Sequence, residues 1–455
     1  MSGDASRQSG DAVSKRLFGR LIDVRPEELR ALVWAWLYIF SVLFSYYILR
    51  PIRDEMGVAG GVENLHWLFT GTLLCMIAVN PPFAALVARL PRVRFIALAY
   101  RFFIANLLLF AVLLHLATAA QNIWIGRMFF IWVSVFNLFV VSVFWALMVD
   151  VFDAEQGKRL FGFIGAGATL GGIVGSVLTA ALAKQVTPTY LLLGSALLLE
   201  AAVFCVRRLS HWSDALRCRP AGESEESPIG GSVFAGLKHA LASSYLINVC
   251  FYILLFTITS TLVYFQQAEI VRQSFADRGA RTTFFARVDL WVNVLTLGAQ
   301  LFLTSRVLRW FGVAVTLAAL PAISLVGFGT LALAPSLAVL VVYQVLRRAG
   351  NFAFARPSRE VLYTVVPRED KYKAKSFIDT AVYRFGDQIG AWSYAGLAWL
   401  GLGVTGVAAV AVPVSLVWLM NAWWLGRRQN TLETAQAGSS VRTAATQTDQ
   451  AQTRP

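Results

Sequence analysis

Apolar blocks about as long as a membrane-spanning helix recur along this chain, with short polar breaks between them. That recurrence limits the fold more than any other feature. A helix of roughly 20 apolar residues crosses the hydrocarbon of a bilayer. Hydrophobic residues are 57% of the chain and charged residues 15%, too little charge for a soluble protein of this length. The chain reads as an integral, multi-pass membrane protein. Its net charge of +14 does not point to nucleic acid, because the basic residues sit between the apolar blocks, where membrane loops carry them. Cys75, Cys205 and Cys250 lie in apolar stretches and Cys218 in a polar loop. No pair has metal-ligand spacing, so free thiols, no disulfide and no metal are expected. The polar N-terminus shows no cleavable signal peptide.

The expected architecture is all-α, with twelve transmembrane helices. The spans are Ala31–Arg50, Leu65–Ala88, Phe95–Thr118, Ile123–Val149, Leu160–Ala183 and Tyr190–Val206, then Tyr245–Gln267, Phe284–Thr304, Val313–Ala334, Leu337–Arg356, Ser376–Leu400 and Leu402–Leu425. Pro51 is the expected stop of the first. Residues 1–22 and 427–455 read as disordered tails, 23–206 as an N-terminal six-helix half, 207–233 as a linker loop and 234–426 as a C-terminal half. Phe234–Ser243 reads as a short surface helix.

Loop charge sets the orientation. Arg89, Arg92 and Arg94 follow span two, Arg207, Arg208, Arg217 and Arg219 lie in the central loop, and Arg306 and Arg309 follow span eight. Arg356, Arg359, Arg368, Lys371, Lys373 and Lys375 follow span ten. The opposite loops hold only Arg50, Arg53, Lys184, Arg272, Arg278 and Arg281. By the positive-inside rule both termini and the central loop are cytoplasmic, which in a bacterium places the protein in the inner membrane.

One stretch occurs twice. Residues 147–175 (LMVDVFDAEQGKRLFGFIGAGATLGGIVG) align without gaps on 361–389 (VLYTVVPREDKYKAKSFIDTAVYRFGDQI). Val151 meets Val365, Glu155 meets Glu369, Arg159 meets Lys373, Phe163-Ile164 meets Phe377-Ile378, and Gly172 meets Gly386. Each copy is an apolar segment, a charged loop and a second apolar segment. Duplication of a larger unit follows, and transporters are commonly built from two such repeats. Two pseudo-symmetric six-helix halves joined by a cytoplasmic loop resemble the major facilitator architecture.

Nothing in the sequence indicates catalysis. His66, His115, His211 and His239 have no nucleophile-base partner, and an enzyme is not expected. The run Gly165–Gly172 lacks the lysine of a phosphate loop and lies inside a span, where small residues serve close helix packing. Charges inside spans are the informative features, because each is expensive in hydrocarbon. Arg53 and Asp54, in YYILRPIRDEMGV, sit at a helix end or, if the helix continues past Pro51, face a cavity. Arg347 and Arg348 lie about midway along span ten, too deep for both to snorkel. Arg384 and Asp387, three apart in span eleven, either neutralise one another or contact a substrate. Arg101, Arg127, Glu200, Arg287 and Asp289 lie nearer span ends or pair with one another or a neighbour. Arginines outnumber carboxylates in the deep set, so the cavity favours an anion, whose phosphate or carboxylate oxygens suit guanidinium forks.

Three stretches resemble the nucleotide (ATP/ADP-type) transporters of plastids and intracellular bacteria. They are YYILRPIRDEMGV, GKRLFGFIGAGATLGGIVGS and REVLYTVVPREDKYKAKSFIDTAVYRFGDQIG, with GGSVFAGLKHALASSYL also similar. The resemblance implies nucleotide exchange without hydrolysis through a twelve-helix, major-facilitator-like body. Arg53 stands where that family carries lysine, Asp387 follows Gly386 where it carries another lysine, and span four lacks its glutamate.

The function expected is secondary transport of a small organic anion, a nucleotide or related phosphorylated metabolite, by alternating access. The alternatives are an ion-coupled carrier for a different small solute and a transport-inactive membrane scaffold. Expected site residues are Arg53, Asp54, Arg347, Arg348, Arg384 and Asp387; expected partners are the anion and the bilayer, with no cofactor, no nucleic acid and a monomeric chain. A reporter fused after Ser224 is predicted to behave as cytoplasmic and one inserted beside Asp277 as external. Both reporting one side would overturn the span count or the orientation.

Overall fold

The computed structural model describes residues 24–25, 28–216, 243–366, 375 and 377–452. Among these the structure is helical, with no strand. Glu369, Cys218, His239, the 217–233 part of the linker, nearly all of Phe234–Ser243 and the tail at 1–22 lie outside the described residues.

The helices are α1 (Leu29–Ala59), α2 (Leu65–Arg89), α3 (Arg92–Leu116), α4 (Ala119–Val151), α5 (Ala154–Leu182), α6 (Pro188–Leu216), α7 (Ser244–Ser274), α8 (Arg278–Phe302), α9 (Thr304–Leu333), α10 (Leu337–Gly350), α11 (Arg356–Leu362), α12 (Tyr383–Trp399) and α13 (Val404–Gln452). Two π-helical turns, Asn351–Ala355 and Ile378–Val382, precede α11 and α12. Among the described residues nine helices are long and apolar enough to cross a membrane. Leu197 and Leu333 are 74% and 89% exposed, an arrangement suited to lipid and costly in water. The spans expected at Phe284–Thr304, Leu337–Arg356 and Ser376–Leu400 are not among the nine. The reasons are physical: α8 carries Arg278, Arg281, Arg287 and Asp289, and π turns leave α10 and α12 with 14 and 17 residues.

Several boundaries differ from those read in the sequence. Helix α1 runs through Pro51 to Ala59. Proline removes one amide and its bond to the carbonyl four residues back, a loss that packed membrane helices tolerate. Helix α6 extends to Leu216, beyond the expected end at Val206. Helix α13 continues through the tail expected to be disordered, with Gln429 donating to Glu433 at 3.0 Å one turn on. Helix α9 is broken at Gly312 (φ 71°), one residue before the expected span start at Val313, while the apolar stretch long enough to cross a membrane runs from Arg306 to Leu333. A capping box at Asp153 and Gln156 opens α5. Beside it Glu28 accepts from Arg159 at 3.0 Å. Burial works to raise the Glu28 carboxyl, but hydrogen bonds from Arg159, the Arg25 amide and Gln156 outweigh it and hold the group below its ordinary value.

The chain forms two compact units. The first gathers the described residues of Met1–Gly60, Gly71–Glu223 and Phe275–Asn293; the second gathers those of Gly61–Thr70, Ser224–Ser274 and Val294–Pro455. In the first, α1 packs on α4, α5 and α6, and α3 packs on α4 and α6. In the second, α7 packs on α10, α12 and α13, and α9 packs on α10 and α13. The two patterns are the same.

Glycine contacts can be compared between the two units. On α5, a Cβ added to Gly175 would lie 2.7 Å from the Phe44 carbonyl oxygen of α1, and one on Gly171 would strike the Phe40 carbonyl. On α12, a Cβ on Gly390 would lie 3.0 Å from the Ile258 oxygen of α7, and one on Gly386 would strike Thr257. Each is a pair of glycines four apart that admits a neighbouring helix closely, against backbone at Gly171, Gly175 and Gly390 and against the Thr257 side chain at Gly386. The ungapped alignment sets Gly172 on Gly386, whereas packing sets Gly171 on Gly386, one residue out of register. The π turn Ile378–Val382 lies between the aligned Phe377 and Gly386. A π turn inserts one residue into a helix, which accounts for the slip.

Gly165, in the same run as Gly171, has nothing within 4 Å of an added Cβ. Gly165→Ala is therefore expected to leave thermal stability in detergent unchanged or slightly raised. Gly171→Ala is expected to cost about 1–3 kcal/mol by forcing α1 and α5 apart. Equal effects at both positions would contradict this packing.

Candidate functional site

Arg53 and Asp54 lie where α1 continues past Pro51. The Arg53 guanidinium donates to Asp54 Oδ1 at 2.6 and 3.0 Å, reaches Ser134 Oγ of α4 at 3.5 Å, and sits 5.1 Å from the Phe130 ring centroid. Its side chain is 14% exposed. Arg50, one turn earlier, pairs with Asp289 of α8 at 3.1 Å. Glu55 accepts both arms of the Arg278 fork, at 2.9 and 3.0 Å. The first unit therefore matches the buried ends of these guanidiniums with carboxylates.

The second unit contains a different case. Arg347 is 4% exposed. Its guanidinium donates to Ser260 Oγ at 2.7 Å and, at 3.3 Å, to Thr259 Oγ1, the Phe256 carbonyl and Ser324 Oγ. Phe256 also offers its ring face, 5.6 Å away. Among the described residues no carboxylate lies within ion-pair distance of Arg347. Magnitudes show why this matters. Burying an ion costs several kcal/mol even after relaxation. Hydrogen bonds to a charged group return about 1.5–3 kcal/mol each at good geometry. Only the Ser260 contact is short, so the charge is solvated in part and left uncancelled, which is the condition that attracts an anion. Arg348, next in sequence and about 100° around the helix, is half-buried.

Arg384 and Asp387 form an i, i+3 ion pair at 3.4 Å on α12. Asp387 also accepts from Thr261 Oγ1 of α7 at 3.5 Å. Thr259 and Ser260 therefore serve Arg347 while Thr261 serves Asp387. The run Thr257-Ile258-Thr259-Ser260-Thr261 lines the part of α7 that meets both α10 and α12. Two turns on, Gln267 accepts from Gln344 of α10 in a buried contact of 2.5 Å. Sequence reading missed this hydroxyl run and Ser324. Its signal was four hydroxyls within five residues of an otherwise apolar block. Thr257, Thr259 and Ser260 are also bonded to the carbonyl of the preceding turn in the way hydroxyls hide in membrane helices, so composition gave the run no prominence.

The structure thus places Arg53 and Asp54 in the first unit, and Arg347, Arg348, Arg384 and Asp387 in the second. It brings Arg384 to Asp387 and Arg53 to Asp54. Among the described residues no cluster of His, Cys, Asp and Glu has the make-up of a metal site. Of the charges nearer span ends, Arg101 bonds Glu200 at 3.1 Å, and Arg127 donates to the Gly60 carbonyl at 2.9 Å.

No protein-family model matches the chain. Among curated proteins it is 22% identical to ADP,ATP carrier protein 2 of Chlamydia pneumoniae, over 90% of this chain and 91% of that one. The chain is similar, over nearly its whole length, to ADP,ATP carrier proteins. Among solved structures, an auto-inhibited POT family peptide transporter superposes with a TM-score of 0.60 at 15% identity, covering 87% of this chain and 96% of that one. The nucleoside transporter NupG superposes at 0.51 with 14% identity, covering 88% and 98%. These are transporters of the major facilitator type, and at such identities they speak to the fold. Carrier-like sequence and repeated apolar helices together make this a multi-pass membrane protein.

Proposed function

We propose that the chain is a secondary transporter that exchanges nucleotides or related phosphorylated metabolites by alternating access. In this reading it has twelve spans in two pseudo-symmetric six-helix halves, spanning residues 23–206 and 234–426, and works as a monomer in a bacterial inner membrane with both termini cytoplasmic. The residues assigned to the substrate are Arg53 and Asp54 in the first unit and Arg347, Arg348, Arg384 and Asp387 in the second. The observation that carries the reading is the buried guanidinium of Arg347 in its cradle of hydroxyls, with no carboxylate at ion-pair distance among the described residues. It supplies a charge and a fork for a phosphate, while Ser260, Thr259 and Ser324 hold it in place. The likeness to proteins named as ADP,ATP carriers supports the same class of anion. No hydrolytic chemistry is required of any residue.

A second reading, an ion-coupled carrier for another solute, draws on Asp387. This carboxylate stands where the resembled family carries lysine, and it is held by one guanidinium and one hydroxyl.

The test is ADP/ATP counter-exchange in proteoliposomes. Arg347→Gln and Arg53→Gln keep polarity and remove charge. Exchange is expected to fall about tenfold or more, from the roughly 1.5–3 kcal/mol carried by each charged hydrogen bond. Lysine at either place should restore part of it, since the charge returns without the fork. Undiminished exchange in both Gln variants would exclude anion recognition by these arginines.

A further inference from the structure

Beyond the Arg347 cradle, α7 and α10 share a second polar contact. Gln267 lies seven residues past Ser260, two turns and about 10 Å along the same face of α7. Gln344 lies one turn before Arg347 on α10. The two amides meet once, with Gln344 Nε2 donating to Gln267 Oε1. The residues are 4% and 5% exposed. A side-chain amide has two N–H donors and a carbonyl with two lone pairs, so one shared bond uses little of that capacity. Among the described residues the Gln344 carbonyl and the Gln267 amino group make no other hydrogen bond. For joining two helices, apolar side chains of the same shape serve about as well. What the amides add is an acceptor on one residue and a donor on the other, both held in place.

We propose that Gln267 and Gln344 form the base-reading end of the anion site. Arg347 takes a phosphate, and the amide pair takes the hydrogen-bonding edge of the nucleobase. The proposal rests on the phosphorylated-anion reading given above and adds what tells a nucleotide from a smaller phosphorylated anion. A nucleobase edge presents a donor beside an acceptor, and glutamine amides pair with such edges, as with the amino group and a ring nitrogen of adenine. Two turns of α7 separate Ser260 from Gln267, a spacing that suits phosphates at one end, a ribose between and a base at the other. Tyr264 falls between them on the same face, four residues from Ser260 and three from Gln267, and is half-buried. An aromatic ring there is the kind of surface on which bases stack. The arginine supplies attraction and the amides supply selectivity, because a ligand that leaves a buried donor or acceptor unpaired is penalised.

The experiment is calorimetric titration of the full chain in nanodiscs with three ligands. They are ADP, purine riboside 5′-diphosphate (ADP without its amino group) and pyrophosphate. The parent is compared with the Gln267→Met, Gln344→Met double variant. The double change removes both partners at once and keeps their shape, so no amide is left unpaired and the fold is expected to hold. The parent is expected to bind ADP about tenfold or more tighter than the analogue. The double variant is expected to bind the two equally. Pyrophosphate, which has no base, is expected to bind both proteins alike. An undiminished preference for ADP in the double variant, or no preference in the parent, would overturn the base site. Should the double variant fail to fold, the parent's preference decides. A parent that binds pyrophosphate as tightly as ADP would remove the base site and leave the phosphorylated-anion reading standing. A parent that binds neither would overturn that reading, and the base site with it.

Discussion

The cost of charge in an apolar interior governs this molecule. A bundle of lipid-facing helices has no water with which to solvate an ion, so each buried charge must be answered by a partner or reserved for one. The two units answer differently. In the first, Arg50 and Glu55 are met by Asp289 and Arg278, and Arg53 by the adjacent Asp54. In the second, among the described residues, Arg347 is met only by hydroxyls, one carbonyl and an aromatic face. In the first unit the charges tie helices to one another, whereas in the second the Arg347 guanidinium sits among neutral groups.

The surrounding helices show how such a charge is kept in place. Helix α7 brings Thr259 and Ser260 against Arg347, and glycines let α12 approach α7 closely enough for Asp387 to reach Thr261. Two π turns flank these residues, one following Arg347 and Arg348 and one preceding Arg384. Such turns occur frequently at functional sites, because one inserted residue rotates the helix that follows and re-aims its side chains.

Much of this was legible in the sequence. Apolar blocks gave α2, α3 and α4 within about four residues at each end, because hydrocarbon length is a strict ruler, while other helices run past their blocks. The depth of Arg347 in its block marked it as a charge that lipid could not accommodate. The pairing of Arg384 with Asp387 was one of two readings that helical spacing left open. Other features were hidden for definite reasons. Pro51 reads as a stop, yet α1 crosses it because neighbouring helices support the interrupted turn. The tail after Arg427 looks unstructured by hydropathy, but it extends a helix that is already nucleated. The π turn at Ile378–Val382 slips the repeat by one residue, which an ungapped alignment does not show. Arg50 with Asp289, and Glu55 with Arg278, are far apart in sequence and share no spacing rule.

The central claim is that this protein recognises its solute through phosphate oxygens. Ligand-induced thermal stabilisation of the purified, unmodified chain tests it most directly, with ADP and adenosine compared at equal concentrations. Ligand at a hundredfold over Kd stabilises the native state by about 2.7 kcal/mol. The account predicts a saturable rise in Tm with ADP and none with adenosine, which lacks the phosphates. Equal stabilisation by adenosine, or a response to a neutral solute with none to ADP, would contradict it.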